Sequence, residues 1–158
     1  MSKPEIFPLA AKDASALAAL LGRQRTEYVS SFHPFAFDAA TIGRILADCR
    51  ADRFWGLRMD GELAGFFMLR GFDEGYSRPS FGVLVSEESA GRGLARLAIG
   101  HALQWCAENG VECVMLKVDP ANGRALRIYQ GAGFEFAGRC PRTGQDIMEK
   151  HMTVCKNR

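Results

Sequence analysis

Two glycine-containing segments of this sequence hold residues that can do chemistry. In the first, an apolar run ends at Ser86, and the glycines of Gly91-Arg92-Gly93 then open a long helical pattern. Glycines at such a turn let the backbone approach a ligand and point successive N–H groups outward, and the N-terminus of the helix adds about half a positive charge. The segment therefore predicts a binding site for a phosphate or diphosphate group, with Arg92 and Arg96 as additional charges.

Neither of the common phosphate-loop motifs describes this turn. A P-loop requires Gly-x-x-x-x-Gly-Lys-Ser/Thr, and the sequence contains no such run. A dinucleotide-binding loop requires a third glycine where this chain has Arg96, and it follows an early strand of its fold. Taken alone, Gly-x-Gly is equally consistent with a plain tight turn, so its interpretation depends on the second segment.

The second segment covers residues 118–134 and follows another apolar run. Asn122 is the residue type that caps a helix N-terminus, and Ala125, Ile128 and Tyr129 supply an apolar stripe at helical spacing. Gly133 stands where a helix ends. The segment therefore predicts a short amphipathic helix that carries one tyrosine on its apolar side.

Hydrophobic periodicity predicts a mixed α/β chain in the order β-α-α-β-β-β-α-β-α-β-β. The predicted strands are 5–9, 53–59, 62–70, 79–86, 111–118, 134–139 and 145–154, and the predicted helices are 13–28, one that begins at Asp38, 91–109 and 122–132. Asp60-Gly61 favours a tight hairpin. On the long helix, Leu94, Leu97, Ala98, His101, Leu103 and Trp105 are the predicted apolar side. The nearly continuous apolar run 111–118 predicts a strand buried on both faces.

The two segments together resemble the Gcn5-related N-acetyltransferases (GNAT). Ala90-Gly91-Arg92-Gly93-Leu94-Ala95 is similar to the family's Gln/Arg-x-x-Gly-x-Gly/Ala loop, with Ala90 where Gln or Arg is usual. Asn122, Ala125, Tyr129, Gly133 and Phe134 match the family's Asn-x-x-Ala-x-x-x-Tyr-x-x-x-Gly-Phe helix in register. The resemblance implies a single α/β domain over residues 1–158. Its mixed, mostly antiparallel seven-stranded sheet would carry helices on both faces and splay between strands 81–86 and 111–118.

The resemblance also implies acetyl-CoA as the acetyl donor, with its diphosphate on residues 91–96 and its pantetheine arm along strand 81–85. The implied cofactor contacts are Val83, Leu84, Val85, Gly91, Arg92, Gly93, Leu94, Ala95, Arg96, Asn122, Arg124, Ala125, Ile128 and Tyr129. Backbone N–H groups make most diphosphate contacts in such a loop, so Ala90 does not imply a loss of cofactor binding.

The implied chemistry is direct transfer of the acetyl group to a neutral amine. A backbone N–H near Leu84 is expected to stabilise the oxyanion, and Tyr129 is expected to protonate the leaving sulfur as a general acid. A core aromatic is the other interpretation of Tyr129. Glu74 or Asp73, in preference to Glu87, is expected to accept the proton of the amine, although a solvated turn explains Glu74 and Asp73 equally well.

The acceptor side in this family is built by the loop between the first two helices and by the turn before the cofactor strand. In this chain these are residues 32–37 and 68–80, and Phe35, Phe72 and Tyr76 are the expected acceptor contacts. The second stretch is similar to acetyltransferases of bacterial surface-polysaccharide synthesis, which implies an amino-sugar or a sugar nucleotide as acceptor. The alternatives are a protein N-terminus, an amino acid or a small amine, and, from a different class, a non-catalytic acyl-CoA-binding sensor.

Composition excludes several other classes of protein. The 158 residues are 47% hydrophobic, and 20 basic against 18 acidic residues leave a net charge of +2, which is too little for a nucleic-acid-binding protein. No apolar run approaches the roughly 20 residues that span a bilayer, and the first residues lack a signal-peptide core, so a cytoplasmic protein is expected. The five cysteines and three histidines show no metal-ligand spacing, so no metal is expected. Members of the family are often dimers, which makes a second copy an expected partner.

Overall fold

Seven strands form one sheet in the order β1-β2-β3-β4-β5-β7-β6, and every neighbouring pair is antiparallel except β4 and β5. The computed structural model describes residues 3–30, 32 and 34–153. The strands are β1 (Pro4–Pro8), β2 (Arg53–Met59), β3 (Glu62–Arg70), β4 (Ser80–Val85), β5 (Cys113–Val118), β6 (Glu135–Arg139) and β7 (Asp146–His151). The helices are α1 (Ala14–Gly22), α2 (Thr26–Val29), α3 (Ala39–Asp48), α4 (Leu94–Glu108) and α5 (Gly123–Gly131), and Ala11–Asp13 and Glu87–Ser89 form short 3-10 turns.

The predicted order of elements is confirmed, with one break. The first predicted helix stops at Gly22 and restarts as the single turn α2, because glycine is among the weakest helix formers and leaves the last turn of α1 unsupported. The Asp60-Gly61 hairpin is confirmed by positive φ angles of 55° and 82° at its two central residues. In the described part of the chain, no helix has both the length and the apolar character needed to cross a bilayer.

Two apolar cores lie on opposite faces of the sheet. The larger core joins Leu57, Phe67 and Leu116 to helix α4, and α5 packs at its edge. The smaller core joins Phe66 and Leu84 to helices α1 and α3. Because side chains alternate along a strand, β3 and β4 contribute to both cores. Helices therefore cover both faces of the centre of the sheet.

The prediction for the buried side of α4 was only partly right. The structure buries Leu94, Ala98, Ile99, Ala102 and Cys106, whereas Leu97 stays 39% exposed and His101 is exposed. Leu94, Ala98, Ala102 and Cys106 recur at spacing i, i+4, so they lie on one face of the helix. The small side chains of Ala98, Ala102 and Cys106 let the helix axis approach the sheet closely.

The prediction that β5 is buried on both faces was wrong. Val114, Leu116 and Val118 are buried under α4 and α5, whereas Met115 is half-buried and Lys117 is exposed on the other face. The layer of α1 and α3 packs against β2, β3 and β4, where it contacts Phe54, Phe66, Met68 and Leu84. The second face of β5 thus borders open space beside that layer.

The splay between β4 and β5 is confirmed. Their ladder contains the single pair Ser80–Met115, supported by a 3.0 Å hydrogen bond from the Met115 N–H to the Pro79 carbonyl oxygen. By contrast, β3 and β4 pair over six positions, from Gly65–Val85 to Arg70–Ser80. The two parallel strands therefore separate toward their carboxyl ends and leave a gap.

The absence of a side chain at Gly65 allows β4 to lie close to β3. A Cβ at this position would overlap the backbone carbonyl oxygen of Leu84, which cannot rotate away. We expect Gly65→Ala to lower the free energy of unfolding by about 1–3 kcal/mol, as overpacking does, in urea denaturation. Gly100→Ala is the control, because nothing lies within 4 Å of the added methyl group on the exposed side of α4. That change should stabilise the protein by about 0.5–1 kcal/mol, and equal effects of the two variants would contradict the packing argument.

Candidate active site

A cleft of about 730 Å³ occupies the gap between β4 and β5. Its walls come from β4, from the glycine turn and the start of α4, from the end of β5, and from α5. It brings together every cofactor-binding residue expected from the sequence except Arg92. Those that line it are Val83, Leu84, Val85, Gly91, Gly93, Leu94, Ala95, Arg96, Asn122, Arg124, Ala125, Ile128 and Tyr129.

The backbone of β4 presents hydrogen-bonding groups to this cleft. Ser86 donates its N–H to the Ala64 carbonyl oxygen at 2.7 Å, so the backbone groups of Ser86 and, two residues earlier, Leu84 face β3. Successive residues of a strand point these groups to opposite edges, so those of Val83 and Val85 face the gap. The oxyanion-binding N–H expected near Leu84 is thereby narrowed to its two neighbours: Leu84 lines the cleft, but the N–H groups that face it belong to Val83 and Val85.

The glycine turn leaves the first turn of α4 uncapped and open. Gly91 and Gly93 adopt φ angles of 83° and 80°, a left-handed region that other residues rarely enter. No side chain caps the helix, and a Cβ on Gly93 would meet nothing within 4 Å. The N–H groups of residues 94–96 have no partner within the helix, so they are available to an anion in the cleft.

Cationic side chains dominate the charge of the cleft. Arg96, Lys117, Arg124 and Arg127 line it, against the single carboxylate of Asp119. The Arg124 guanidinium lies 3.5 Å from the position of a Cβ on Gly91, so it reaches from α5 to the glycine turn. Within the described residues none of the three arginines forms a salt bridge, so their charge remains available to a ligand.

The uncapped helix, the two glycines and the arginines fit a diphosphate-bearing cofactor. Asn122 has a divided role, because its Oδ1 accepts the Ala125 N–H at 3.1 Å and so caps α5. Its amide NH₂ remains for a ligand. Arg92 is exposed and does not line the cleft, so its charge acts from outside.

Tyr129 lies on α5 with its ring edge-on to Phe134, at 6.2 Å between ring centroids. Burial raises the pKa of Tyr129 to about 12, because the phenolate form would lose its solvation. Its hydroxyl makes no hydrogen bond to another described residue. Tyr129 therefore keeps its proton at neutral pH and faces the cleft as a donor.

The acids expected to act as a base do not line the cleft. The carboxylate of Asp73 accepts the N–H groups of Arg50, Ala51 and Asp52 at 3.0, 2.7 and 3.3 Å, and these bonds lower its pKa. Asp73 thus fixes the turn before β2. Glu74 is exposed in the turn after β3, and Glu87 is held by Arg25, whose hydrogen bonds lower the pKa of the Glu87 carboxyl.

The aromatic residues expected to contact the acceptor also lie outside the cleft. Phe35 belongs to the smaller core, 6.1 Å from Phe66 between ring centroids. Phe72 packs on Trp105 at 5.9 Å, in the larger core. Tyr76 is 64% exposed in the turn after β3. Two of the three expected acceptor contacts, Phe35 and Phe72, therefore pack in the cores.

Four residues line the side of the cleft away from α4 and α5: Tyr28, Phe32, Lys117 and Gln145. Phe32 belongs to the loop 32–37 that was expected on the acceptor side, whereas sequence reasoning missed the other three. Tyr28 donates its hydroxyl to the Val85 carbonyl oxygen at 2.7 Å, which ties α2 to the free edge of β4. No local pattern predicts this contact, because 57 residues separate the two partners. The exposure of Lys117 is equally hidden from local sequence patterns, because it depends on where the layer of α1 and α3 ends over the sheet.

Comparison with known proteins agrees with this geometry. The sequence model of the Acetyltransferase (GNAT) family matches residues 17–134. No curated protein sequence is similar enough to this chain to serve as a relative.

Several solved structures share the fold. The ribosomal-protein-S18-alanine N-acetyltransferase of Escherichia coli is 18% identical, with a TM-score of 0.74 over 98% of this chain and 97% of that one. The PaiA N-acetyltransferase of Thermoplasma acidophilum, solved with coenzyme A, is 19% identical, with a TM-score of 0.74 over 95% and 99%. A spermidine N-acetyltransferase chimera from Vibrio cholerae is 20% identical, with a TM-score of 0.74 over 94% and 95%.

The family match decides between an enzyme and a mere acyl-CoA sensor in favour of the enzyme, since the matched family consists of acetyltransferases. The chain belongs to the GNAT acetyltransferase family, whose acetyl donor is acetyl-CoA.

Proposed function

We propose that this enzyme transfers the acetyl group of acetyl-CoA directly to the primary amine of a small acidic molecule, with the cleft between β4 and β5 as its active site. The main observation behind the proposal is that one cleft contains all the groups that this reaction requires. It holds a protonated Tyr129, the outward N–H groups of β4 and an uncapped helix N-terminus. These are a proton donor, an oxyanion site and a phosphate site in one place.

The donor's diphosphate is proposed to bind the N–H groups of residues 94–96, with Arg96 and Arg124 as counter-charges. The backbone groups of Val83 and Val85 are proposed to bind its amide-containing arm, in place of the missing neighbouring strand. When bound, acetyl-CoA supplies the activated acetyl thioester. The chain supplies alignment, and alignment alone can account for a large share of a rate enhancement.

Two groups of the chain are proposed to act in the reaction itself. An N–H of Val83 or Val85 stabilises negative charge on the carbonyl oxygen, without reorganisation because the strand is already fixed by β3. Tyr129 holds a proton on Oη and gives it to the departing sulfur, and the proton that the attacking amine nitrogen loses restores the Tyr129 hydroxyl. The raised pKa of Tyr129 ensures that this proton is present at physiological pH.

The acceptor is proposed to enter from the side lined by Tyr28, Phe32, Lys117 and Gln145. Lys117 lies on this side and is not assigned to the donor's phosphates, so its charge disfavours a polycation such as spermidine and favours an acceptor with an acidic group. An amino-sugar nucleotide has that chemistry, and Phe32 and Tyr28 offer aromatic surface to it. The charge of Lys117 also lowers the pKa of an amine bound beside it, which raises the neutral fraction of that amine without a dedicated carboxylate base.

Replacing Tyr129 tests its proposed role as the general acid. We expect Tyr129→Phe to lower kcat about 10²-fold with little change in KM for acetyl-CoA, because only the proton donor is lost. Steady-state assays of thiol release measure both constants. Tyr76→Phe removes the same hydroxyl from an exposed turn and should leave kcat unchanged. An unchanged kcat in Tyr129→Phe would show that Tyr129 is structural.

The pH dependence of the wild-type enzyme tests the same role. Its kcat should not fall with rising pH until the pH nears the Tyr129 pKa of about 12, because only then does the hydroxyl lose the proton that it donates.

A pair of arginine variants tests the diphosphate site. Arg124→Ala should weaken acetyl-CoA binding about tenfold, as the loss of one charge-assisted hydrogen bond does. Arg92→Ala removes the same charge from the glycine turn outside the cleft and should have little effect. Titration calorimetry with acetyl-CoA measures both. A larger loss in Arg92→Ala than in Arg124→Ala would place the phosphates elsewhere.

An acceptor panel tests the substrate class. It compares an amino-sugar nucleotide, the same amino-sugar without its nucleotide, spermidine and a peptide with a free N-terminal alanine. We expect the highest kcat/KM for the nucleotide, and Lys117→Ala should raise its KM about fivefold, as loss of a partly solvated charge pair does. Lys12→Ala, a lysine outside the cleft, is the control. Activity on the peptide alone would instead indicate a protein N-terminus as acceptor.

A further inference from the structure

A cluster of metal-ligand side chains lies outside the cleft, on β5 and β7. The Cys113 thiol, a Glu149 carboxylate oxygen and a His151 imidazole nitrogen all lie within 4.8 Å of one another. Cys113 and Glu149 are half-buried, and His151 is exposed, so a solvated ion can reach the cluster. The side chains project from the face of the sheet opposite α4 and α5, the face that the α1–α3 layer leaves open at β5.

The register of the two strands explains why these groups meet. Cys113 stands directly opposite His151, and Glu149 comes two residues earlier on the same face of β7. Met152 donates its N–H to the Glu112 carbonyl oxygen at 2.7 Å, so these neighbours form a hydrogen-bonded pair. Cys113 and His151 are therefore a non-hydrogen-bonded pair, in which facing side chains approach most closely.

We propose that Cys113, Glu149 and His151 bind a thiophilic divalent cation, Zn²⁺ in the cell, with a water molecule as the fourth ligand. Thiolate, imidazole and carboxylate are the protein ligands of tetrahedral zinc sites. Three protein ligands leave one position open. The site lies beside the Ser80–Met115 pair and would join β5 to β7 there, apart from the acetyl-transfer chemistry.

The surrounding charges are compatible with a cation. Arg78 forms a salt bridge with Oε2 of Glu149, whereas Oε1 lies 3.7 Å from Nε2 of His151. Arg78 thus orients one carboxylate oxygen of Glu149, and the other oxygen remains for the metal. Arg78 would act as the outer-shell partner that orients a ligand in zinc sites. Glu135 stands opposite Glu149 across β6 and β7, so a second carboxylate flanks the site.

The thiol of Cys113 is expected to release its proton when the metal binds. Burial, and then the charge of Glu149, raise the pKa of Cys113, while Arg78 lowers it. Without metal the thiol is therefore protonated and unreactive at neutral pH. Metal binding should release this proton, and because the unfolded chain lacks the site, it should also stabilise the fold.

Cobalt(II) titration of the whole protein tests this site. We expect one equivalent to bind, with a thiolate-to-cobalt charge-transfer band in the near ultraviolet and the visible bands of tetrahedral cobalt. Cys113→Ser should abolish the charge-transfer band, whereas Cys49→Ser, which removes a half-buried thiol elsewhere, should keep it. Absence of the band in the wild type, or its persistence in Cys113→Ser, would overturn the proposal.

An exposed ligand provides a variant that leaves the packing intact. His151→Ala should weaken Zn²⁺ binding at least about tenfold, since loss of an outer-shell partner alone costs about that much. Zn²⁺ should raise the Tm of the wild type and of Cys49→Ser by similar amounts, and that of His151→Ala by clearly less at the same Zn²⁺ concentration. An equal rise in all three proteins would assign the effect to other groups and contradict the site.

Discussion

The pairing of β4 with β5 over a single register position is the constraint on which the rest of the structure depends. A parallel ladder that continued past Ser80 and Met115 would bond the N–H and C=O groups of Val83 and Val85 within the sheet and close the cleft. Instead no neighbouring strand pairs with these groups. Backbone N–H and C=O groups without such a partner must form hydrogen bonds with water, a side chain or a ligand. Tyr28 satisfies the Val85 carbonyl. The remaining groups form an edge that an extended, amide-containing ligand can bind as a missing strand would.

The surroundings of this edge hold it open and give it its charge. On one side the six-position ladder with β3 holds this edge, and Gly65 leaves the room that the Leu84 carbonyl oxygen needs. On the other side α5 supplies Tyr129 and two arginines, and the uncapped N-terminus of α4 supplies free N–H groups. Arg96 and Arg124 are proposed to serve the phosphates of the donor, whereas Lys117 on the opposite face acts on the acceptor. The same open face extends along β5 to Cys113, so the proposed metal site arises from the same incomplete helical layer.

Much of this architecture could be predicted from local sequence signals. The Asp60-Gly61 turn and the glycines at 91, 93 and 133 each specify a backbone conformation that few other residues adopt, and Asn122 specifies a helix start through its side-chain cap. All of these features were found as expected. What could not be predicted depends on contacts distant in sequence. The open face of β5 follows from the extent of another layer, and the meeting of Cys113 with His151 follows from strand register. Asp73 was expected as a possible base because the sequence does not reveal hydrogen bonds to distant backbone groups. In the structure its carboxylate accepts three such bonds, which give it a structural role instead.

Hydrogen exchange at single residues of β4, followed by NMR with and without acetyl-CoA, tests the central claim most directly. The account predicts that the amides of Val83 and Val85 exchange quickly in the free protein and become protected when acetyl-CoA binds. Leu84, whose amide faces β3, should be protected in both states and thus serves as the internal reference. Slow exchange of Val83 and Val85 in the free protein, or no added protection on binding, would contradict a cofactor site at the free edge of β4.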